Sequence, residues 1–591
     1  MLNKKQIKNE QKLYKIRHSL AHLLAASVLK IMPDGKLGIG PVIDNGFYYD
    51  FLLPRQLTPE DLPELEKEIR KMIGQGLSFS GKKITPAEAK KTFKNQQFKL
   101  DLIKEFVKEK KPLTIYKTGN AFIDLCAGGH VKNTKEINPD AFKLTRLAGA
   151  YWRGDEKNPQ LQRIYGAAFA DKKDLEQYLW QQEEAKKRDH RVLGEKLKLF
   201  AFSKEVGPGL PLWLPNGTIL RDEIEKYAKE IEKEWGYERV TTPHIAKEDL
   251  YKMSGHIPYY SDSMYPPMKL DDGNYYLKAM NCPHTHMIYK TEPRSHKDLP
   301  IRYAEYGTVY RYELSGTLAG LLRTRGFTQN DAHIYCREDQ IEEEFLKVMR
   351  LHEFWYKKVF DIKDFYMRLA LPAKDKTKYA GLPAEWKKSV EIIRKAMKKS
   401  GLPFTEAEGE ASFYGPKVDF QIKSVIGREE TASTNQLDFL AAKRFNLSYR
   451  DKDGKEKPVY VIHRAPLGSH ERFIAFLIEH FAGHFPLWLA PTQIIILPIA
   501  ERHVGFAEKI GGELRAENFR VKISKENETL NKRIRDAEMN KIPYILVAGD
   551  KEINNNSVNI RHAVKGNLGE MKINEFLKKI KLETENKLTT P

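Results

Sequence analysis

The sequence contains little cysteine and no long apolar run. Its 591 residues include three cysteines, Cys126, Cys282 and Cys336, which is too few for a disulfide scaffold and typical of a reducing compartment. No window approaches about 18 uncharged apolar residues, and the basic start is followed by neither an apolar signal segment nor a small-residue cleavage site. We therefore expect a cytoplasmic protein without a membrane span.

The composition indicates a folded, basic protein of several domains. Hydrophobic residues make up 41% and aromatic residues 11% of the chain, which excludes an intrinsically disordered protein. At about 150 residues per domain, the length predicts three or four domains. The 100 Lys and Arg against 80 Asp and Glu give a formal charge of +20. That excess favours a polyanionic partner such as nucleic acid, although many basic proteins bind none.

Changes in sequence texture divide the chain into four segments. Residues 1–170 combine a helix-like start, strand material rich in glycine and aromatic residues, and charged helical stretches. Residues 171–199 carry charge at nearly every turn, which predicts a linker helix. Residues 200–487 mix amphipathic helices with β-branched runs and many turns. Residues 488–591 alternate strand-like runs such as TQIIILPIA with helix-like runs such as ETLNKRIRDAEMNK, which predicts a compact α/β domain.

Two pairs of residues in the first segment could share one chemical site. His18 and His22 stand four positions apart on a predicted helix and therefore on one face. Cys126 and His130 are also four positions apart, with Asp124 nearby. Such a set could bind a metal, act as an acid–base group, or serve only in packing. The HExxH signature is absent, but a metallohydrolase confined to the first 170 residues stays an alternative.

The third segment places arginines beside turns and a helix start. The run from Arg302 to Glu313 predicts a strand that ends with Arg311 and Glu313 on one face. VIHRAPLGSHERF predicts a strand that turns through Gly468 into a helix with Arg472 in its first turn. Arginines at such positions suit phosphate binding. Surface ion pairs would explain any one of them but explain the group poorly.

Several motifs, in order along the chain, resemble one family. GYERVTTPHI predicts a strand that stops at Pro243. This run, YRYE with RGFTQNDAHIYC, and GSHERF are similar to motifs 1, 2 and 3 of class II aminoacyl-tRNA synthetases. AMNCPH, NDAHIY and VIHRA look like threonyl-tRNA synthetase, and RHSLAH with DLCAGGH is similar to that family's editing domain. The resemblance implies an α+β multidomain fold: an α+β editing domain (1–170), a linker helix (171–199), an antiparallel-sheet catalytic domain (200–487) and an α/β anticodon-binding domain (488–591). It also implies a form without the small ubiquitin-like domain that commonly precedes the editing domain.

The resemblance gives a function to three residues that spacing alone leaves ordinary. Cys282, His333 and His463 lie 51 and 130 residues apart, which fits no local zinc motif, yet they match the family's zinc ligands. One thiolate and two imidazoles leave coordination open for a substrate. The resemblance implies one Zn²⁺ per subunit that holds the threonine amino group and hydroxyl, so that valine is rejected. The residues matching the rest of the threonine pocket are Met280, Gln329, Asp331 and Tyr414.

The same resemblance implies ATP-dependent ligation of L-threonine to tRNA(Thr) through threonyl-adenylate, with Mg²⁺ accompanying ATP. Arg311 matches the arginine on the α-phosphate and Arg472 the arginine near the γ-phosphate. Lys417 matches an active-site lysine, and His256 a histidine proposed to assist transfer to the tRNA. The residues matching the family's ATP contacts are Arg311, Glu313, Arg323, Phe327 and Arg472.

Serine poses a selection problem, because it differs from threonine by one methyl group. One methyl in a pocket gives only about 10- to 200-fold discrimination, so a second, hydrolytic site for seryl-tRNA is expected. That site could bind zinc, but we expect a metal-free site that activates water. The residues matching it are His18, His22, Lys99, Asp124, Cys126 and His130.

The remaining expectations concern the partners. Glu552 and Arg561, nine positions apart, match the residues that read anticodon bases, and their chemistry suits base edges; a surface ion pair is the alternative. The implied partners are tRNA(Thr), ATP, L-threonine and a second copy of the chain, joined through motif 1. A non-catalytic RNA-binding paralogue would have lost a motif arginine or a zinc ligand. A synthetase for proline or serine would lack the editing set.

Overall fold

The computed structural model describes residues 4–373, 379–424, 427, 429–525, 528–587 and 589. The chain forms two compact units, Met1–Glu183 and Glu184–Pro591. In the described residues the helices, numbered in chain order, are α1 Lys4–Ile31, α2 Leu62–Gln75, α3 Pro86–Thr92, α4 Gln97–Lys108, α5 Lys172–Arg188, α6 His190–Lys196, α7 Pro215–Glu234, α8 Glu248–Ser254, α9 His256–Tyr259, α10 Cys282–Tyr289, α11 Ile341–Glu353, α12 Pro383–Ser400, α13 Ala441–Phe445, α14 His470–Phe481, α15 Val504–Ala516, α16 Leu530–Met539, α17 Asp550–Asn555 and α18 Ile573–Glu585.

The strands fall into three successive groups along the chain. Those of the first unit are β1 Lys36–Leu37, β2 Val42–Ile43, β3 Gly46–Leu52, β4 Phe79–Lys83, β5 Thr114–Thr118, β6 Phe122–Leu125, β7 Phe142–Tyr151 and β8 Gln160–Ala168. The middle group comprises β9 Phe200–Ala201, β10 Leu212–Trp213, β11 Glu238–Arg239, β12 Ile245–Lys247, β13 Met268–Leu270, β14 Gly273–Leu277, β15 Ile301–Tyr310, β16 Gly326–Cys336, β17 Phe365–Leu371, β18 Phe404–Glu408, β19 Lys417–Lys423, β20 Glu429–Asp438, β21 Ser448–Arg450, β22 Glu456–Pro458 and β23 Tyr460–Ala465. The last group is β24 Ile494–Pro498, β25 Val521–Ile523, β26 Tyr544–Ala548, β27 Ser557–His562 and β28 Gly566–Lys572.

An antiparallel sheet packed against one long helix forms the core of the first unit. Its strands run in the order β1-β3-β8-β7, with β2 paired to β3. Helix α1 buries Leu20, Leu24 and Val28, because these residues recur at the spacing of one helix face. Strands β4, β5 and β6 form a second sheet. Since β6 ends at Leu125, Cys126 follows the strand directly.

An eight-stranded sheet organises the second unit. Its order is β11-β15-β16-β23-β20-β19-β17-β18, and only the outer pairs β11/β15 and β17/β18 are parallel. His333 on β16 lies opposite His463 on β23, and Gln436 on β20 lies opposite the same histidine. The predicted antiparallel catalytic sheet is therefore confirmed, and its register brings distant residues together.

A five-stranded mixed sheet forms the core of the C-terminal region. The order is β25-β24-β26-β27-β28, with parallel pairing among the first three strands and antiparallel pairing among the last three. Isoleucines of β24, such as Ile494 and Ile496, are fully buried. The predicted alternation of strands and helices is confirmed.

The structure corrects three expectations about local structure. Strand β15 ends at Tyr310, so Arg311 and Glu313 follow the strand and do not share one of its faces. The charged segment after residue 170 forms two helices, because Asp189 interrupts it and caps α6 by accepting from the Arg191 amide at 2.8 Å. The predicted motif 1 strand pairs only over Glu238–Arg239.

A buried histidine of α11, whose ring stacks on Phe420 of the eight-stranded sheet with centroids 4.1 Å apart, makes stability depend on pH. His352 is 0% exposed, and burial lowers its pKa to about 3. The unfolded chain therefore takes up a proton at this histidine below about pH 6.5, whereas the folded protein takes it up only near pH 3. The contribution of neutral His352 to the free energy of unfolding is therefore complete above pH 6.5 and is lost as the pH falls toward 3. The slope for one such group approaches about 1.4 kcal/mol per pH unit. We expect His352→Phe to flatten the fall in thermal midpoint between pH 7 and pH 5; an unchanged slope would contradict it.

Candidate functional sites

Twelve of the predicted residues line one cavity of about 500 Å³ on the eight-stranded sheet. They are contributed by β16, β19 and β23, by the starts of α10 and α14, and by the turns between them. The set is Met280, Cys282, Arg311, Glu313, Arg323, Phe327, Gln329, Asp331, Tyr414, Lys417, His463 and Arg472. The fold therefore gathers around one cavity twelve residues that the family resemblance had named.

A thiol and two imidazoles converge at the wall of this cavity, where Cys282 and His463 line it and His333 is buried beside them. One ligand atom each from Cys282, His333 and His463 lies within 4.8 Å of the others. The two imidazole rings face each other across β16 and β23, with centroids 4.8 Å apart. Nε2 of His333 is buried and has no hydrogen-bond partner in the described part of the chain. Burial lowers the pKa of His333 well below its usual range, which leaves the neutral imidazole that binds metal.

The chemistry of this donor set fits zinc. Burial raises the pKa of the Cys282 thiol, and only a strong local positive charge such as a metal ion would convert it to the thiolate. Asp438 lies behind the set, with one carboxylate oxygen 3.3 Å from Nε2 of His463. A carboxylate that hydrogen-bonds a ligating histidine fixes the orientation of its ring. Sequence reasoning missed Asp438, because only the pairing of β20 with β23 reveals its contact.

The predicted threonine pocket contains two partners that the sequence did not predict. Asn281 donates through Nδ2 to Asp331 Oδ2 at 3.1 Å, and burial raises the pKa of that carboxyl. The Tyr414 hydroxyl donates to Gln436, which also lines the cavity. Asn281 and Gln436 therefore orient the two predicted pocket residues. The only available signal was their position within the AMNCPH run (279–284) and the QLDF run (436–439).

Three arginines concentrate positive charge near Phe327. The Arg311 guanidinium lies 5.0 Å from the centroid of the Phe327 ring, and its Nε donates to the Ala279 carbonyl at 3.3 Å. Arg472 lies in the first turn of α14, as predicted. Loss of water within the cavity, followed by the charges of Arg311 and Arg323, lowers the pKa of Arg472. Such a cluster is suited to a polyphosphate.

Three predicted active-site residues form ion pairs within the chain. Arg323 donates through Nε to Glu313 at 2.9 Å, so two predicted ATP contacts hold each other. Lys417 lies 3.1 Å from Asp419. Binding of a nucleotide at Glu313 and Arg323 would have to open their pair.

His256 lies behind the cavity and does not line it. The residue is 2% exposed. Its Nδ1 lies 2.7 Å from the Ser254 hydroxyl, and its Nε2 lies 2.9 Å from the Met280 sulfur. Burial lowers its pKa to about 3. The ring is therefore neutral at pH 7, and Met280 separates it from the cavity.

A histidine that sequence reasoning missed supports the loop carrying Arg323. His190 of α6 contacts Glu479 of α14 through Nδ1 at 2.8 Å, and its Nε2 accepts from the Leu321 amide at 3.2 Å. The next carbonyl, that of Leu322, accepts from Arg472 Nε at 3.3 Å. One imidazole thus ties the linker, the motif 3 helix and the motif 2 loop together.

The predicted editing residues form one cluster in the first unit. Ligand atoms of His18, His22, Cys126 and His130 all lie within 4.8 Å of one another. The Cys126 sulfur is 3.5 Å from His18 Nε2 and 3.3 Å from His130 Nε2. Burial lowers the pKa of His130 to about 2 and raises that of Cys126 to about 11. At pH 7 the cluster therefore presents neutral imidazoles and a neutral thiol.

A buried ion pair supports this cluster from one side. Lys99 Nζ lies 2.6 Å from Asp124 Oδ1, and the Tyr49 hydroxyl donates to Asp124 Oδ2 at 2.5 Å. The same carboxylate is 3.9 Å from His22 Nε2. Tyr49 was missed by the sequence analysis; its position in a strand whose alternate residues are buried was the available signal.

The predicted anticodon residues lie in the C-terminal region and have partners within the chain. Glu552 is buried at the start of α17, where one carboxylate oxygen accepts from the Gly549 amide at 2.9 Å. Arg561 on β27 donates to Glu538 at 2.8 Å. Their role in base recognition stays a prediction.

Comparison with known proteins matches three regions of the chain to described families. Residues 267–481 match the tRNA synthetase class II core domain (G, H, P, S and T), and residues 493–583 match an anticodon binding domain. Residues 113–165 match the threonyl and alanyl tRNA synthetase second additional domain. The fold and these domains define a class II aminoacyl-tRNA synthetase with an editing domain.

Relatives that match nearly the whole chain identify the family within this class. The chain is 49% identical over 546 residues to a threonine–tRNA ligase of Dehalococcoides mccartyi, covering 92% of each. It is 47% identical to threonine–tRNA ligase 1 of Bacillus subtilis, covering 98% of this chain and 90% of the relative. Among solved structures, the RNA binding domain of threonyl-tRNA synthetase from Cryptosporidium parvum matches with a TM-score of 0.64 at 34% identity, covering 67% of this chain and 98% of that one. The chain belongs to the threonine–tRNA ligase family.

Among the residues that the structure describes, no helix is both long enough and apolar enough to cross a bilayer.

Proposed function

We propose that this protein joins L-threonine to tRNA(Thr) at the expense of ATP, through a threonyl-adenylate, in the cytoplasm. The observation that carries the proposal is one cavity holding both a zinc-type donor set with Asp331 and three phosphate-type arginines. An adenylate can form only where an amino acid and ATP bind side by side. Residues 200–487 would catalyse this reaction, 1–170 would edit, 171–199 would link the two, and 488–591 would bind the anticodon.

In the first step, a threonine carboxylate oxygen attacks the α-phosphorus of ATP. The bond to the bridging oxygen of the β-phosphate breaks, and pyrophosphate leaves with Mg²⁺. Arg311 is placed to hold the α-phosphate, where negative charge develops, and Arg323 and Arg472 to hold the outer phosphates. Preorganised cations lower this barrier because they need no reorientation during the reaction. Phe327 offers a face for the adenine ring.

Selection of threonine depends on its hydroxyl. Cys282, His333 and His463 would hold Zn²⁺, which when bound supplies a Lewis acid for the amino group and hydroxyl of threonine. Asp331 is placed to accept a hydrogen bond from the hydroxyl, and Asn281 keeps that carboxylate in position. Valine has the same shape but offers no hydroxyl, and buried polar groups left unpaired reject such an analogue strongly.

In the second step, a hydroxyl of the terminal tRNA ribose attacks the threonyl carbonyl, and adenosine monophosphate leaves. We assign His256 to accept the proton of that hydroxyl, because its neutral ring is a base at pH 7. Met280 would have to move from its contact with the ring for the two to meet.

We assign hydrolysis of seryl-tRNA(Thr) to the cluster in the first unit. Neutral His18, His22 and His130 can activate water without a metal ion, and the ion pair of Lys99 with Asp124 holds the cluster in place. Neutral groups are the ones the buried environment favours here. A zinc site at this cluster is the alternative that metal analysis resolves.

Replacing both editing histidines separates hydrolysis from activation. For His18→Ala combined with His22→Ala, we expect seryl-tRNA(Thr) to accumulate while threonine-dependent ATP–pyrophosphate exchange stays at the wild-type rate. Loss of a general base typically lowers a rate by about 10²- to 10⁴-fold. The measurement is deacylation of preformed seryl-tRNA(Thr), with Gln11→Ala, a change of an exposed residue on the same helix, as control. Unchanged deacylation by the double variant would refute the assignment.

The main proposal is tested by pyrophosphate exchange with threonine, serine and valine. Exchange should depend on threonine and require bound zinc. Zinc-loaded protein without threonine-dependent exchange would exclude the proposed reaction.

Light scattering tests the proposed homodimer, and tRNA(Thr) charging by Glu552→Gln and Arg561→Gln tests the proposed anticodon contacts.

A further inference from the structure

A second cavity of about 430 Å³ lies between the catalytic region and the C-terminal α/β region. Its wall is built from the loop after α6, the segment that joins α14 to β24, strand β25 and helix α16. In the described residues it shares no lining residue with the cavity for threonine and ATP. Nothing in the proposed reaction uses it.

Arg533 is a buried charge on this wall that pairs with no carboxylate among the described residues. The residue is 8% exposed and belongs to α16. Its Nε is fully buried and has no hydrogen-bond partner, and across the ranges the structure describes its guanidinium forms neither a hydrogen bond nor an ion pair. Guanidinium groups that lose water are normally held by a carboxylate or a phosphate. The unpaired donors therefore call for an anion that enters the cavity.

The remaining charges on the wall are mostly positive. The basic residues are Lys198, Lys522, Arg533 and Lys541. The acidic residues are Glu528, which already pairs with Lys532, and Asp536. Four cations thus face one carboxylate, that of Asp536, which forms no ion pair with the described residues. This excess of positive charge favours an anion carrying more than one negative charge.

The pKa shifts of two neighbouring groups are consistent with this excess of positive charge. Burial and the charge of Lys196 lower the pKa of Lys541. Burial, and then the charges of Lys541 and Arg188, lower the pKa of His484 to about 4. Among the described residues, the partner of Lys541 is this neutral imidazole, 3.0 Å away. Within the described ranges, no carboxylate therefore pairs with the positive charge at this end of the cleft.

We propose that this cleft binds a phosphate oxyanion, with the Arg533 guanidinium as the central donor and Lys522 and Lys541 beside it. A planar guanidinium offers two parallel N–H groups to phosphate oxygens, and ammonium groups add charge. The cavity is larger than one phosphate, so the group could belong to the backbone of bound tRNA or to a free phosphate. Phosphate binding here does not depend on the proposed ligase reaction.

The first experiment reads the site locally, by amide hydrogen exchange of α16 in the full-length protein with and without inorganic phosphate. Exchange through openings that release the anion slows by a factor of 1 + [L]/Kd, which is about tenfold at ten times Kd. We expect this protection in wild type and in Arg515→Gln, a matched change of an exposed arginine in α15. We expect it to be lost in Arg533→Gln and weakened in Lys541→Gln. Threonine-dependent exchange of pyrophosphate should be unaffected in all three, which reports an intact fold and a functional active site.

The second experiment distinguishes the two sources of the phosphate. If tRNA backbone occupies the cleft, Arg533→Gln should reduce the slope of log Kd for tRNA against log salt concentration by about one, and tRNA should abolish the added protection by phosphate. If free phosphate occupies it, the slope should be that of Arg515→Gln while the protection by phosphate still requires Arg533. Absence of phosphate protection in wild type together with an unchanged salt slope in Arg533→Gln would overturn the proposal.

Discussion

Replacing Arg311 with glutamine is expected to lower threonine-dependent ATP–pyrophosphate exchange by about 10²- to 10³-fold, the usual cost of removing one preorganised donor from a developing charge. Arg311 lies over Phe327 and is fixed by its hydrogen bond to Ala279, so its guanidinium is oriented before ATP arrives. The α-phosphate gains charge only as the carboxylate attacks. The loss should therefore appear mainly in kcat and much less in KM for threonine.

Two further variants separate charge from geometry at Arg311. Arg311→Lys keeps the charge but loses the planar pair of N–H groups, and we expect an intermediate rate. Arg350→Gln removes an exposed arginine from α11 and should leave exchange unchanged. If Arg311→Gln instead exchanges pyrophosphate as fast as Arg350→Gln, the α-phosphate role is wrong.

The sequence predicted elements best where the physical cause is local. The run around Gly468 gave a strand, a turn and a helix start, and the structure places Arg472 in the first turn of α14 with Ser469 as its cap. The alternating texture after residue 488 likewise gave the C-terminal sheet. These features depend on the conformational preferences of neighbouring residues, which the local sequence indicates directly.

Contacts set by strand register were not predictable from local sequence. Gln436 and His463 meet because β20 pairs with β23, and His333 joins them through β16. Only family resemblance connected the zinc-type residues beforehand. The same limit explains why Asp438 was missed. His190 was missed because its partners, Glu479 and the Leu321 amide, are more than 100 residues away in the sequence. The error at Arg311 has a different cause: alternation continued in the sequence after β15 had ended at Tyr310.

Removing one zinc-type ligand should have the second of the two largest effects. For His333→Ala, we expect bound zinc to fall from one per chain to none, measured by metal analysis of protein purified without added zinc. Threonine-dependent exchange should fall with it. A polar site can reject an analogue lacking the hydroxyl by about 10⁴- to 10⁵-fold. Without zinc, the groups that bind the hydroxyl are no longer held in position. Most of the preference for threonine over valine should therefore also disappear.

The choice of control makes the zinc experiment specific. His352→Phe also removes a fully buried histidine from the second unit, but it lies outside the donor set, so we expect it to keep one zinc and normal selectivity. The combined His18→Ala and His22→Ala variant should also keep one zinc, because we propose a metal-free editing cluster; a loss from two to one would assign the second ion to that cluster. Wild-type protein that activates threonine fully after chelation has removed all zinc would exclude metal-based selection, and Asp331 with Asn281 and Gln436 would then have to distinguish threonine from valine alone.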